Sequence, residues 1–205
     1  MVSRVAAVIQ EADPRRPLVL RSAAELVLDR GLEGATARGI AERAGTSVAS
    51  LYRLFPDKET VLAAALQTLL VELAAWQRLR LPETPCDAPA LFGALFDGYV
   101  AWCARRPEYR ALWFTGGGGA ALQEIRWTST AHVVDLCVSR LRGPSKARKA
   151  DTVALVSRVT VVVAAADRVV DASYRYPSNR KKLVEAGRAS LVRYLEGTGT
   201  GTSSA

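Results

Sequence analysis

The sequence predicts an all-α fold of about nine helices in two parts, a three-helix module near the N-terminus and a larger helical body. Three observations carry that expectation. Between Thr36 and Lys58 (TARGIAERAGTSVASLYRLFPDK) two short apolar stripes at helical spacing are each opened by a hydroxyl residue and separated by a glycine. Beyond Lys58 the apolar residues keep helical spacing in successive segments, punctuated by Pro- and Gly-rich breaks. At 205 residues the chain can hold one small domain and one larger one with ample core.

Within the module, Thr36 precedes the stripe Ala37, Ile40, Ala41 and Ala44 as an N-cap, its hydroxyl accepting an otherwise unpaired amide N–H. Arg38, Glu42 and Arg43 fall on the other side. Gly45 supplies the positive φ that ends a helix without a Cβ penalty. Ser47 can cap the next helix, in which Leu51 and Phe55 point one way with Val48 and Leu54 at the borders of the apolar face. Ala49, Ser50, Tyr52 and Arg53 point broadly the other way. Pro56 disfavours further helix, and Asp57 is suited to cap the one that opens at Lys58. A helix this short does not stand alone, so its neighbours must hold it, which leaves its outward face available for something else.

Residues 18 to about 62 resemble the N-terminal DNA-binding domain of the TetR-type (tetracycline-repressor-like) transcriptional regulators. The resemblance rests on an ungapped register: Val19-Leu20, Ser22-Ala23, Leu26-Val27 and Gly31, then Thr36-x-Arg38-x-Ile40-Ala41, Ala44-Gly45-x-Ser47, Leu51-Tyr52-x-x-Phe55 and Lys58-Glu59. It implies a helix-turn-helix DNA-binding domain over 16–62, after an arm at 1–15. It also implies an effector-binding and dimerisation domain over 63–196, before a low-complexity tail at 197–205. By the same resemblance Thr36, Tyr52 and Lys58 match positions that touch the phosphate backbone, and their hydroxyl and ammonium groups suit that role. Base reading would fall to Thr46, Ser47, Val48, Ala49 and Ser50, with Arg53 able to reach a guanine edge or a phosphate and Arg38 a further groove or phosphate candidate. Val48 departs from the family, which often has a polar or basic residue there; its contact would be a thymine methyl or plain packing. Thr36 and Ser47 also fit ordinary caps, Tyr52 a half-buried core tyrosine, and Lys58 a surface lysine.

In the body, a long helix is expected over about 58–80, then a loop (LPETPCDAP) and helices over roughly 88–105 and 107–115. Gly116–Gly119 lacks the Gly-Lys-Ser/Thr of a phosphate-binding loop and reads as a flexible break. Helices over about 120–141, 146–174 and 178–196 follow. Val156, Val159, Val163, Ala166 and Val170 alternate threes and fours, a helix–helix seam, and Leu155, Val162 and Val169 form a second stripe. Two stripes imply burial on two sides, one against another subunit. Val184, Gly187 and Leu191 with small neighbours permit close approach on the last helix. In the family the last two helices form a four-helix dimer interface, and this pair is similar; an intramolecular bundle would use the same residues. The family also encloses an effector among helices four to seven, which carry Trp76, Phe92, Phe96, Tyr99, Trp102, Trp113, Phe114 and Trp127, residues that fit plain core equally. Interior polar candidates are His132, Gln123, Thr128 and Asp135. The aromatic content favours a bulky apolar or planar compound.

The formal charge of +8 suits a polyanion partner, but its distribution does not single out the module. Residues 1–60 hold nine Lys/Arg against eight Asp/Glu, and 61–205 hold nineteen against twelve. The excess gathers at Arg140, Arg142, Lys146, Arg148 and Lys149 and at Arg175, Arg180, Lys181 and Lys182, which fit solvated helix ends. Cys86, Cys103 and Cys137 are odd in number and scattered, which suits free thiols in a reducing cytoplasm. One histidine leaves no zinc-ligand spacing, and no cofactor is expected. The N-terminal segment has too short an apolar run for a signal peptide, and no membrane span is expected.

The expected activity is that of a homodimeric, effector-responsive repressor on a pseudo-palindromic double-stranded DNA operator, cytoplasmic and nucleoid-associated, and not an enzyme. Two alternatives stand beside it: an all-helical interaction protein that does not bind an operator, and a hydrolase using His132, for which no nucleophile motif is present.

Overall fold

Nine α-helices occupy the described residues of the computed structural model, which are 13–81, 87–142 and 149–196. They are α1 (Arg16–Gly34), α2 (Ala37–Arg43), α3 (Val48–Leu54), α4 (Lys58–Arg78), α5 (Ala88–Arg105), α6 (Pro107–Trp113), α7 (Gly119–Arg142), α8 (Lys149–Arg175) and α9 (Arg180–Glu196). A 3₁₀ turn, Pro177–Asn179, joins the last two. The all-α expectation holds, and each expected helix lies within a few residues of its predicted place. The expected tail and most of the N-terminal arm, Cys86, Lys146 and Arg148 fall outside the described residues.

The chain divides into two compact units, one running to Glu72 and including Arg106–Arg126, the other comprising Leu73–Arg105 and the chain from Trp127 onward. The first is larger than the 16–62 module, because α6 packs on α1 and has Tyr109 and Leu112 fully buried. α1 begins with Pro17 in its first turn, where a missing N–H costs no hydrogen bond, and breaks at Gly31 (φ 73°, ψ 175°). Its Val19, Ala23, Leu26 and Val27 meet a core that includes Ile40 of α2 and Leu51 of α3, all essentially inaccessible. Arg126 donates to the carbonyls of Leu112 (2.5 Å), Thr115 (2.8 Å) and Gly117 (3.0 Å), so the tetraglycine segment is a clamped turn rather than the flexible break expected. Desolvation lowers the pKa of this guanidinium.

By length and composition alone α4 is apolar enough to cross a membrane, a test that a core helix also passes. Much of that apolar character faces the protein interior, with Val61, Leu62, Leu66, Leu69 and Leu73 buried. Asp57 caps it as expected, Oδ1 accepting from Thr60 N at 2.7 Å, a bond that lowers the Asp57 pKa.

In the second unit α8 and α9 form a helical hairpin, and α9 also packs on α5. Leu91 and Leu95 of α5, Val134, Cys137 and Val138 of α7 and Val159 of α8 make its apolar centre. Arg188 of α9 reaches Asp97 of α5 at 2.9 Å and lies over Gly93, where a Cβ would stand 2.5 Å from its Nη2.

Candidate nucleic-acid interface

The turn between α2 and α3 is built from backbone bonds that the sequence can supply only with glycine at its centre. Gly45 (φ 62°) donates to Glu42 O at 3.2 Å, and Thr46 donates to Ala41 O at 2.9 Å. These are the paired bonds of a Schellman motif, which satisfy two terminal carbonyls of α2 and turn the chain sharply. Thr36 caps α2, its Oγ1 accepting from Gly39 N at 3.1 Å, and Ser47 caps α3, its Oγ accepting from Ser50 N at 3.1 Å. Both capping residues are exposed.

Around the tip of α3, Ser47 and Ala49 are exposed, while Thr46 and Val48 are half-buried. Tyr52 is 49% exposed, and Arg53 is also exposed. Arg38 is exposed and paired with Glu42 at 2.8 Å, which raises its pKa further. An ion pair this open to water exchanges readily for a phosphate. Lys58 is half-buried with Nζ 3.4 Å from Leu32 O, so its ammonium tethers the end of α1.

Ser50 requires a correction. It is only 9% exposed, and its Oγ accepts from Ser47 Oγ at 3.0 Å and from Arg53 Nη2 at 2.8 Å. Its side chain is therefore turned into the domain rather than offered to a groove. Helical spacing could not show this, because Ser50 lies at the border of the face that α1 and α2 cover. Sequence reasoning also missed how the start of α1 meets the C-terminal end of α3. Arg16 lies over the Phe55 ring at 4.4 Å, and Asp13 binds Arg15 at 2.6 Å, which with two further bonds to Arg15 lowers the Asp13 pKa to about 2.

The expected effector residues are not gathered around one cavity. An apolar cleft in the second unit is lined by Leu91, Phe92, Cys137, Leu141, Val159, Val162, Val163 and Leu195, and Phe92 is the one expected aromatic on it. Its volume of about 10 Å³ has room for roughly one water. Phe96 stacks on Phe92 at 5.7 Å, and Tyr99 donates its hydroxyl to Asp167 at 2.7 Å. Trp76 and Trp102 pair at 6.2 Å, and Trp76 donates to Gly98 O with Arg80 over its ring at 3.3 Å. These are packing roles. Trp113 stacks on Tyr109 at 5.6 Å, and both it and Phe114 belong to the first unit. Trp127 is 77% exposed, and His132, Gln123, Thr128 and Asp135 are exposed rather than interior.

The expected interface residues also divide. Val159, Ala166 and Val170 are buried within the single chain, and Gly187 abuts Val169, so that seam is at least partly intramolecular. Val156 remains exposed, and Val163, Val184 and Leu191 are half-buried.

A capped two-helix turn presenting an exposed helix tip, braced by a third helix, defines a helix-turn-helix domain of the DNA-binding class. Residues 19–65 match the family described as bacterial regulatory proteins, tetR family, so this N-terminal domain is of that family's kind. It is 35% identical over 69 residues to an uncharacterised HTH-type transcriptional regulator of Mycobacterium tuberculosis, a match covering 34% of this chain and 33% of that protein. The chain thus spans about a third of the length of the curated relatives it matches. Its fold is similar to a transcriptional regulator from Rhodococcus sp. Rha1 (TM-score 0.72, 21% identity, 89% of this chain and 96% of that one). It is also similar to FadR from Bacillus subtilis solved in complex with stearoyl-CoA (TM-score 0.67, 13% identity, 88% and 97% covered).

Proposed function

We propose that the chain is a DNA-binding transcriptional regulator, a repressor that binds a pseudo-palindromic operator as a twofold dimer and leaves it when a small apolar effector occupies the body. The observation that carries this reading is the α3 tip. Ser47 and Ala49 at its leading end, with Tyr52 and Arg53 on the same helix, are exposed inside the segment that matches the family. An α-helix tip of this kind enters a major groove, while hydroxyl and cationic side chains beside it bind phosphates. Thr36, Arg38, Tyr52 and Lys58 take the phosphate roles, and Thr46, Ser47, Val48, Ala49 and Arg53 face the bases.

The unsatisfied surface of α8 and α9 supports the dimer. No residue of α9 is buried, and Val153, Val156 and Val161 of α8 and Tyr194 of α9 are exposed. A second copy related by a twofold axis covers such surface on both chains at once. The acyl ligand of the similar Bacillus subtilis protein supports an effector with an apolar chain, and the aliphatic cleft of the second unit would have to widen well beyond its volume of about 10 Å³ to take one. Such a ligand shifts the protein toward release only as far as it binds the DNA-incompetent state more tightly. The site of action is the cytoplasm, on the nucleoid.

The test is a gel shift of the full chain against the DNA upstream of its own gene, with sedimentation of the free protein. Salt-sensitive affinity on the order of 10⁻⁸ M or tighter and a dimer are expected. Absence of any sequence-preferring complex would leave the alternative of an all-helical interaction protein.

A further inference from the structure

At the α3 tip one serine, Ser50, is buried and has its hydroxyl taken up by two neighbours on the same helix. Ser50 Oγ is enclosed and holds one guanidinium N–H of Arg53, three residues further along the helix, at 2.8 Å. A second hydroxyl, Ser47 Oγ, closes on the same oxygen at 3.0 Å, and Ser47 is itself fixed by the capping bond from Ser50 N. The three side chains form one network running from the leading end of α3 to its last turn.

We infer that Ser50 is a positioning residue for Arg53, and that Arg53, held this way, sets the preference for a guanine in the operator. The inference rests on the DNA-binding reading above. An unrestrained arginine distributes over many rotamers, and fixing it on a base loses that freedom at the moment of binding. The Ser50 bond removes part of that loss beforehand. It also directs the guanidinium back toward the helix N-terminus, the direction in which helical side chains already lean and the end that enters the groove. A guanidinium carries five N–H donors in a fixed fork, so the bond to Ser50 does not by itself preclude bidentate hydrogen bonding to guanine O6 and N7. Lysine has no fork and could not substitute.

The test is selection of duplexes from a randomised library by the full chain, comparing wild type with Ser50→Ala, Ser50→Thr, Arg53→Ala, Arg53→Lys and the Ser50→Ala/Arg53→Ala double variant. Wild type is expected to select a guanine at one symmetric position with about ten- to hundredfold discrimination. Arg53→Ala and Arg53→Lys abolish that discrimination, Ser50→Ala reduces it at that position alone, and Ser50→Thr, which keeps the hydroxyl, restores it. In the Arg53→Ala background, Ser50→Ala has no further effect on preference, a result that a general loss of folding would not give. Two results overturn the inference: Ser50→Ala leaving the guanine preference at its wild-type value, or Arg53→Ala weakening all sequences equally, which would make Arg53 a phosphate contact. If wild type itself enriches no sequence, the regulator reading fails together with this one.

Discussion

Gly187 of α9 lies directly against Val169 of α8, where a Cβ would stand 2.5 Å from Val169 Cγ1 and 2.8 Å from Cγ2. Gly98 in α5 differs, because a Cβ there meets only Arg80 Cδ at an ordinary 3.6 Å. Replacing a helical glycine by alanine gains about 1 kcal/mol in propensity. At Gly98 that gain should appear almost whole, and Gly98→Ala should raise the unfolding midpoint. At Gly187 the obstacle is a β-branched side chain with one preferred helical rotamer, and overpacking costs about 1–3 kcal/mol. Gly187→Ala should therefore be destabilising. Urea titration of the two variants checks the opposite signs.

The caps of the two short helices are separable from their proposed DNA roles by stability. Thr36→Ala should lose about 1 kcal/mol of folding free energy through the Gly39 amide it leaves unpaired. Ser47→Ala should lose a similar amount, and in addition loosen the Ser50–Arg53 network. Unchanged denaturation midpoints would show that water replaces the hydroxyls at no cost.

Tyr52 and Arg38 should affect DNA binding in different ways. Tyr52→Phe removes a neutral hydroxyl, so it should weaken every sequence several-fold while leaving the salt dependence unaltered. Arg38→Ala removes a charge, and the slope of log affinity against log salt should fall by about 1. Fluorescence anisotropy at several salt concentrations distinguishes them.

Cys103 and Cys137 are buried and not disulfide-bonded, and burial pushes the Cys137 thiol from its ordinary 9.0 up to about 11. At pH 8 its thiolate fraction is then about one in a thousand, against roughly one in ten for an ordinary thiol. Site-resolved alkylation with iodoacetamide should leave both unmodified in the native protein and label both after denaturation. The folded state keeps a proton on Cys137 that the unfolded chain loses above pH 9. Stability should consequently decline as pH rises from 9 toward 11.

The parts legible in the sequence were those whose causes lie within a few residues. The caps at Thr36, Ser47 and Asp57 and the turn at Gly45 are local chemistry, and each stands where the sequence places it. Ser50 was misplaced because which edge of α3 is covered depends on how α1 and α2 pack over it. Trp127 and His132 are exposed where the sequence suggests an interior place, because α7 spreads its apolar residues around most of its circumference and marks no inward face. The union of α6 with α1 joins residues about ninety apart, which no window along the chain can register. Val159 and Val162, one from each stripe of α8, are both buried, but periodicity does not say whether the covering helix belongs to the same molecule.

Helix α9 has a final consequence for the behaviour of the protein. It packs on α8 and α5, with the notch at Gly187 and the Arg188–Asp97 pair among its ties, yet none of its side chains is fully sheltered. A rod so lightly roofed should exchange its amide hydrogens for deuterium first when the protein is dilute. Concentrating the sample should then slow that exchange and lift the melting temperature, since a neighbouring molecule supplies the missing cover.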